Sequence, residues 1–278
     1  MFKGRRLVIA TKHEKENVIA PLLEEAFGVT CFVIDGFDTD QLGTFTGEVE
    51  RKLDPIATAR QKCLMAMEAS HCDLAVASKG SFGAHPFIAF ASADDEFLIF
   101  IDKKNDLEII ARELSLDTNF NGKKITKEKE LFDFAKSVKF PSHALILRSS
   151  KSDNTKVIKG ITNQKQLEDA FKTLSEISSY MYAETDMRAL YHPSRMAVIQ
   201  TATKTLVDKI NSSCPQCKTP GFDVAEAKKG LPCDLCRSPT RSILSLISSC
   251  QKCDFKKEEL YPHEKTVKDP MYCDYCNP

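Results

Sequence analysis

Eight of the 11 cysteines lie in the last 65 residues as four pairs with the spacing Cys-x-x-Cys. The pairs are Cys214/Cys217, Cys233/Cys236, Cys250/Cys253 and Cys273/Cys276, and 15, 13 and 19 residues separate them. A Cys-x-x-Cys turn directs two sulfur atoms at one point, and two such turns supply the four thiolates of a tetrahedral zinc site. The spacing therefore predicts two structural zinc ions per chain, with no open position for water.

Two other roles for the paired cysteines are disfavoured. A disulfide framework requires an oxidising compartment, and the apolar stretch near the first residues is too short for a secretion signal. A thioredoxin-like redox function needs one pair at the start of a helix rather than four pairs in a row.

The spacing does not decide which pairs share a metal. Sequential pairing joins the first pair to the second and the third to the fourth, whereas a nested or cross-braced arrangement joins the same cysteines differently. The strand-like run Ile243–Ile247 leads into Cys250, which equally favours the second pair with the third.

The cysteine-rich tail is almost neutral. Residues 212–278 contain ten Lys or Arg and nine Asp or Glu, a net charge of +1. Ribbons that bind nucleic acid through its phosphates usually carry a clear basic stripe, so nucleic acid is a disfavoured partner and a protein partner is the alternative. Such a small tail buries little core, so metal binding is expected to supply most of its folding energy.

Phosphate-binding chemistry is predicted after two strands nearer the amino terminus. Thr11, His13 and Lys15 follow the first strand where a helix begins, and ligands of open α/β sheets bind at that edge. After the third strand come Gly80, Ser81 and Gly83, whose backbone N–H groups would approach an anion, and then His85, a candidate proton shuttle. The competing interpretations are a solvated polar loop and a tight turn.

An acidic, Gly- and Thr-rich segment lies between these two regions. Glu48 and Glu50, together with Asp38 and Asp40, offer the carboxylates that Mg²⁺ prefers. A solvated loop explains the same residues.

A charged cluster also falls near the junction before the last long helix. Its members are Glu184, Asp186, Arg188, His192 and Arg195. Helix capping and local ion pairs account for them, with a functional site as the alternative.

Alternating strand and helix patterns predict an α/β fold, a three-layer domain with a mixed sheet over residues 1–211 followed by a small zinc-ribbon domain over 212–278. Strands are expected at 6–11, 29–34, 73–78, 87–91, 96–101, 144–148 and 155–159, and helices at 14–27, 54–70, 127–138, 164–182 and 193–210. Asp54 and Pro55 mark the clearest helix start, whereas Pro21 is expected to fit only in the first turn of its helix.

The overall composition excludes several classes of protein. The chain has 278 residues with 39 basic and 39 acidic side chains, so it lacks the basic excess of proteins that coat nucleic acid or membranes. The longest apolar runs, 87–91 and 97–101, have five residues each, far fewer than a membrane span needs. A cytoplasmic location is expected.

Three runs within residues 5–90 resemble the inosine/xanthosine triphosphatase family: Leu7–Thr11, Ala59–Cys63, and Asp73–Ala77 with Gly80. The resemblance implies Mg²⁺-dependent cleavage of a nucleotide pyrophosphate bond. The chain departs from that family in two places. His13 stands where the family has Asn, with Lys15 two rather than three residues on, and the turn after the third strand has no carboxylate.

Nearly the whole chain is also similar to an uncharacterised bacterial family of unknown function. The similarity is carried by Gly43–Glu48, Glu184–Ala189 and Asp269–Cys273 and implies no activity. The residues predict a hydrolase that handles a nucleotide or another phosphorylated small molecule. The alternative is a non-enzymatic ribbon module that binds a protein or nucleic acid.

Overall fold

The computed structural model describes residues 1–37, 53–151 and 156–278. The chain divides into two units, Met1–Val207 and Asp208–Pro278. The first unit has an α/β fold with a mixed sheet and a separate antiparallel sheet, and the second unit carries the paired cysteines.

The first sheet has five strands in the order β2-β1-β3-β4-β5. The first three strands of that order are parallel, and β4 and β5 then add antiparallel, so the sheet is mixed. Its elements are β1 (Arg6–Ala10), α1 (Glu16–Phe27), β2 (Thr30–Phe32), α2 (Pro55–Ser70), β3 (Leu74–Ala84), β4 (Ser92–Asp102) and β5 (Leu107–Ser115).

Helix α2 covers one face of this sheet. The helix begins where predicted, because Asp54 Oδ1 accepts hydrogen bonds of 2.9 Å from the backbone N–H groups of Ile56 and Ala57. Successive strand residues point to opposite faces, and one alternating set packs with α2 in a single apolar cluster. The strand members of that cluster are Val8, Ala10, Ala75, Ala77, Ile99 and Ile101.

The opposite face forms the third layer with α1. Phe100 alternates with Ile99 and Ile101, so its ring lies away from α2. The Phe100 ring contacts the ring of Phe2, which in turn contacts Phe27 at the end of α1. The predicted three layers, helix, mixed sheet and helix, are therefore confirmed.

The second sheet of the first unit was not predicted. Its four antiparallel strands run in the order β6-β9-β7-β8, with two helices packed in the same apolar cluster. The elements are β6 (Gly122–Ile125), α3 (Glu128–Ser137), β7 (Leu145–Arg148), β8 (Val157–Ile161), α4 (Gln164–Ser175) and β9 (Met181–Thr185), and α5 (Pro193–Asn211) follows.

Four predictions of local structure were wrong. The third strand does not stop at residue 78 but continues through the glycines to Ala84, and residues 87–91 form an exposed connection rather than a strand. The helix expected over 164–182 ends at Ser175. Pro21 lies inside α1 rather than in its first turn, and its missing N–H leaves the carbonyl of Asn17 to water, since both residues are exposed.

The second unit contains a three-stranded antiparallel sheet in the order β10-β11-β12. These strands are β10 (Asp223–Lys229), β11 (Ile243–Ser249) and β12 (Lys256–Leu260). Strand β11 confirms the predicted strand that leads into Cys250.

Candidate functional site

A buried cluster of charged side chains lies on the face of the first sheet away from α2. Asp94 and Glu96 of β4 are fully buried there, opposite Phe82 and Gly80 of β3 in the antiparallel register. Alternation places Ser78 on the same face. Fully buried carboxylates are rare unless they are paired, so each one requires a partner or a function.

Lys15 reaches this face from the loop between β1 and α1. It is the residue immediately before α1, and its Nζ donates a 2.8 Å hydrogen bond to Ser78 Oγ. Burial lowers the pKa of Lys15 well below its usual value, and the positive charge of Arg195 lowers it further, whereas Glu96 opposes that shift. Lys15 therefore has a weakened preference for its proton at this position.

Arg195, at the start of α5, forms a buried ion pair with Glu96. Its Nε donates a 2.5 Å hydrogen bond to Glu96 Oε1, and its Nη1 donates to the backbone oxygen of Met187. The guanidinium carbon lies 5.1 Å from the centre of the Phe82 ring. Cation–π contact and the ion pair together fix the orientation of the guanidinium.

Gly80 makes room for that ion pair. An added Cβ at this position would lie 2.1 Å from Glu96 Oε1 and 2.6 Å from Arg195 Nη2. Strand β3 can pass beneath the pair only because residue 80 has no side chain.

Asp94 is the unusual member of the cluster. Neither of its carboxylate oxygens, nor Glu96 Oε2, has a hydrogen-bond partner among the described residues. Burial and the negative charge of Glu96 together raise the pKa of Asp94 to about 8, although Arg195 and Lys15 act in the opposite direction. Its carboxyl group is therefore near its titration point at neutral pH.

The cluster combines cations with free carboxylate oxygens in a water-poor environment. Lys62 of α2 and Lys79 of β3 are also buried and add positive potential at Lys15. Cations of this kind attract phosphate groups, and a carboxyl group titrating near neutrality suits proton transfer or metal binding.

The predicted phosphate-binding loop lies where the sequence indicated, but its side chains diverge. Lys15 enters the buried cluster, whereas Thr11 lines a separate pocket of about 280 Å³ beside Glu14 and Glu16. The backbone N–H of His13 donates a 3.4 Å hydrogen bond to Thr11 Oγ1.

Gly80, Ser81 and Gly83 form neither the predicted anion-binding loop nor the alternative tight turn, because all three residues belong to β3 and pair with β4. His85 follows at the end of that strand, where its Nδ1 accepts hydrogen bonds from the backbone N–H groups of Phe87 and Ile88. At about 3.3 Å per strand residue, His85 lies roughly 10 Å beyond Phe82, the residue opposite Asp94.

Glu48 and Glu50, with Asp38 and Asp40, lie outside the described residues. The cluster near α5 is local only in part: Arg188 pairs with Asp186, and His192 accepts at Nδ1 the backbone N–H of Arg195. Its other contacts are distant in sequence, because Glu184 pairs with Arg148 of β7 and the Arg195 side chain extends to β4.

The sequence did not predict Ser78, Asp94 and Glu96 as members of this cluster. Asp94, Asp95 and Glu96 form one acidic run before the apolar residues from Phe97, so the pattern alone does not distinguish the two fully buried carboxylates from Asp95. The third strand was also expected to end at residue 78, before the residues that pair with this run.

The four cysteine pairs form two clusters in the second unit. Cys214 and Cys217 join Cys250 and Cys253, while Cys233 and Cys236 join Cys273 and Cys276, with all ligand atoms of each cluster within 4.8 Å of one another. The first pair therefore shares a site with the third, and the second with the fourth. This is the cross-braced arrangement rather than the sequential one.

The sulfur positions fit a tetrahedral metal site. The Sγ–Sγ distances are 3.7 Å for Cys214–Cys253, 3.5 Å for Cys217–Cys250, 3.8 Å for Cys233–Cys276 and 3.6 Å for Cys236–Cys273. A disulfide requires about 2.05 Å. Four sulfurs placed about 2.3 Å from a central ion are about 3.8 Å apart, so each cluster can hold one metal ion.

Backbone turns pre-form the sulfur pairs. The N–H groups of Lys218, Arg237 and Asn277 donate to the carbonyl oxygens of Cys214, Cys233 and Cys273, at 2.9, 3.1 and 2.9 Å. Lys218 and Arg237 adopt positive φ angles of 61° and 63°, which closes each turn directly after its second cysteine. The repeated turn explains why two residues between cysteines suffice.

The fold and the sites define an α/β protein with a cross-braced pair of four-cysteine clusters, each of which can hold a metal ion. The chain belongs to the family described as a domain of unknown function, DUF6671, whose model matches residues 62–278. That range includes Asp94 and Glu96 of β4, Arg195 and all eight paired cysteines, and it bears out the expected uncharacterised family.

No curated protein matches the chain. Among solved structures, the chain is similar to protein VC0702 from Vibrio cholerae, with 9% sequence identity and a TM-score of 0.31. The match covers 74% of this chain and 94% of that protein, and it is too distant to inform function. Within the described ranges, none of the helices combines the length and apolar character needed to cross a membrane.

Proposed function

We propose that this protein is a hydrolase acting on a nucleotide or another phosphorylated small molecule, with a tail held together by two structural zinc ions. The observation that carries the proposal is the convergence of Lys15 and Arg195 on the buried, unpartnered carboxyl group of Asp94. Lysine and arginine side chains at a buried site suit a polyanionic ligand such as a phosphorylated compound.

Each residue has a distinct role in this proposal. Lys15 and Arg195 bind phosphate oxygens, and an incoming anion raises the pKa of Lys15 toward its usual value, so that the amine binds in its charged form. Asp94, with a pKa near 8, accepts or donates a proton at the reacting centre. Glu96 positions Arg195 through their ion pair.

The experiment measures phosphate and pyrophosphate release from nucleoside mono-, di- and triphosphates and from sugar phosphates, with Mg²⁺ present. Lys15→Met is compared with Lys12→Met, which removes an exposed lysine from the same loop. We expect Lys15→Met to reduce kcat/KM at least 100-fold and Lys12→Met to change it less than threefold. Absence of turnover in a folded, zinc-loaded sample on every substrate would overturn the proposal.

Zinc is the metal proposed for the cysteine clusters because four thiolates in a closed tetrahedron favour Zn²⁺ as a structural ion. Elemental analysis of protein purified without added metal is expected to give two zinc ions per chain. Iron in their place, with the visible absorption of an iron tetrathiolate, would contradict this assignment.

One observation favours the alternative of a protein-binding module. Leu235, Met271, Tyr272 and Tyr275 are exposed beside the cysteines of the second cluster. If the protein is a binding module, cross-linking of a partner to the full chain is lost in a Leu235→Ser/Tyr275→Ser double variant and kept in Lys15→Met. Turnover that is lost in Lys15→Met and kept in the double variant favours the hydrolase.

A further inference from the structure

Asp94 and Glu96 are alternate residues of β4, so their side chains emerge on the same face of the sheet with Cα atoms about 7 Å apart. Both side chains are fully buried. Three of their four carboxylate oxygens, both from Asp94 and Oε2 from Glu96, have no hydrogen-bond partner among the described residues.

Burying these carboxylates lowers the free energy of unfolding if they have only a structural role. A buried carboxylate that accepts no hydrogen bond loses its hydration without compensation, and two neighbouring carboxylates also repel each other. Arg195 satisfies only one of the four oxygens, Glu96 Oε1. The other three are hard oxygen donors without a partner among the described residues, and such oxygens are the donors that Mg²⁺ and Mn²⁺ prefer.

We propose that Asp94 and Glu96 together bind a divalent cation, Mg²⁺ or Mn²⁺, in the buried cluster of the first unit. This site is distinct from the cysteine clusters and uses none of the acidic residues between 38 and 50. The inference rests on the proposed function for its anionic ligand, because a dication placed near Lys15 and Arg195 needs further negative charge for balance. A phosphate group bound by these two cations supplies that charge and contacts the metal.

This charge balance predicts coupling between metal and anion. Pyrophosphate offsets the positive charge of Lys15 and Arg195, which repels the metal, and the metal offsets the negative charge of Asp94 and Glu96, which repels pyrophosphate. Each ligand therefore raises the affinity for the other by the same factor. We expect that factor to be at least tenfold. Metal binding without the anion is weak.

The test measures Mn²⁺ binding to the zinc-loaded full chain by electron paramagnetic resonance, with and without inorganic pyrophosphate. The cysteine clusters do not interfere, because they are filled with zinc and thiolates select against Mn²⁺. We expect one Mn²⁺ per chain, bound at least tenfold more tightly when pyrophosphate is present.

The main variant is Asp94→Asn. Its side chain has no hydrogen bond to lose among the described residues, so the variant is expected to fold and to unfold at the same or a higher temperature than the parent. Its Mn²⁺ affinity is expected to fall at least tenfold. Glu96→Gln is a second variant, although it also weakens the contact with Arg195.

Asp95→Asn is the matched control, because it removes the same charge from the intervening residue. Asp95 points to the other face of β4, where Oδ1 accepts a 2.7 Å hydrogen bond from Arg112. It is expected to leave Mn²⁺ affinity unchanged. Equal losses in the Asp94 and Asp95 variants, or no Mn²⁺ binding by the parent, would overturn the proposal.

The outcomes separate this site from the hydrolase function. Mn²⁺ binding that depends on Asp94, without turnover of any phosphorylated compound, supports the metal site and rejects the hydrolase. Turnover that depends on Lys15 and persists in EDTA, with no Mn²⁺ bound by the parent, supports the hydrolase and rejects the metal site.

Discussion

Replacing Gly80 with alanine tests whether the Glu96–Arg195 ion pair lies directly over β3. The added Cβ would lie 2.1 Å from Glu96 Oε1 and 2.6 Å from Arg195 Nη2. Neither atom moves freely, because the side chains are 0% and 1% exposed and joined by a 2.5 Å hydrogen bond. The substitution therefore forces the buried pair to shift or separate.

The expected loss follows from these contacts. An ordinary carbon–oxygen contact is about 3.4 Å, so the carboxylate must move by about 1 Å. Overpacking of a buried site costs about 1–3 kcal/mol, and uncoupling a buried ion pair costs about 3–5 kcal/mol. We expect Gly80→Ala to lower the free energy of unfolding of the first unit by about 3 kcal/mol.

Gly83→Ala provides the control within the same strand. A Cβ at residue 83 meets nothing within 4 Å, so alanine there is expected to be neutral or to stabilise by about 0.5–1 kcal/mol. Urea unfolding of the zinc-loaded chain is followed by circular dichroism, with zinc release recorded separately so that the transitions of the two units are distinguished.

Two results decide the matter. If Gly80→Ala unfolds within about 0.5 kcal/mol of Gly83→Ala, which is the usual scatter for neutral substitutions, the placement of the ion pair over β3 is refuted. In a Glu96→Ala background the clashing oxygen is absent, so the cost of alanine at residue 80 should shrink markedly.

Three further outcomes are expected. Burial lowers the pKa of His192 to about 3, so the native state excludes a proton that the unfolded chain binds below about pH 6.5. The free energy of unfolding should therefore fall as pH drops from about 6.5 toward 3, by up to about 1.4 kcal/mol per pH unit. In His192→Asn, the urea midpoint should depend less steeply on pH over the same range. Asp54→Ala removes the cap of α2 and should cost about 1 kcal/mol in urea unfolding, whereas Asp54→Ser should retain most of that stability. Cys233→Ser should reduce bound metal from two ions to one and unfold the tail while the circular dichroism of the first unit persists, and unchanged metal content would contradict the assigned ligands.

The sequence was most informative where one local interaction determines the structure. Asp54 followed by Pro55 defined the start of α2, since the cap needs only neighbouring backbone groups. The Cys-x-x-Cys spacing defined each metal-binding turn for the same reason. The choice of partner turns depends on how β10, β11 and β12 associate, and spacing between pairs contains no information about that.

The charged cluster shows more clearly which contacts could not be predicted from the sequence. Lys15 was recognised because the end of a first strand is a common ligand site. Its partners Ser78 and Glu96 lie 63 and 81 residues away in sequence, and β4 brings Glu96 into place only because β3 continues past its glycines. In sequence Gly80 resembles a turn residue, whereas in the sheet its missing side chain leaves room for the Glu96–Arg195 ion pair.

The interleaved order of the cysteine pairs has a consequence for how the tail acquires its metals. The ligands of the first cluster enclose Cys233 and Cys236, and those of the second enclose Cys250 and Cys253, so the two chelate loops overlap. A metal bound at either cluster restricts the conformations of the loop that carries ligands of the other cluster. Closing the second chelate loop therefore costs less conformational entropy. The overlap therefore predicts positive coupling between the two sites, with metal at one cluster tightening binding at the other.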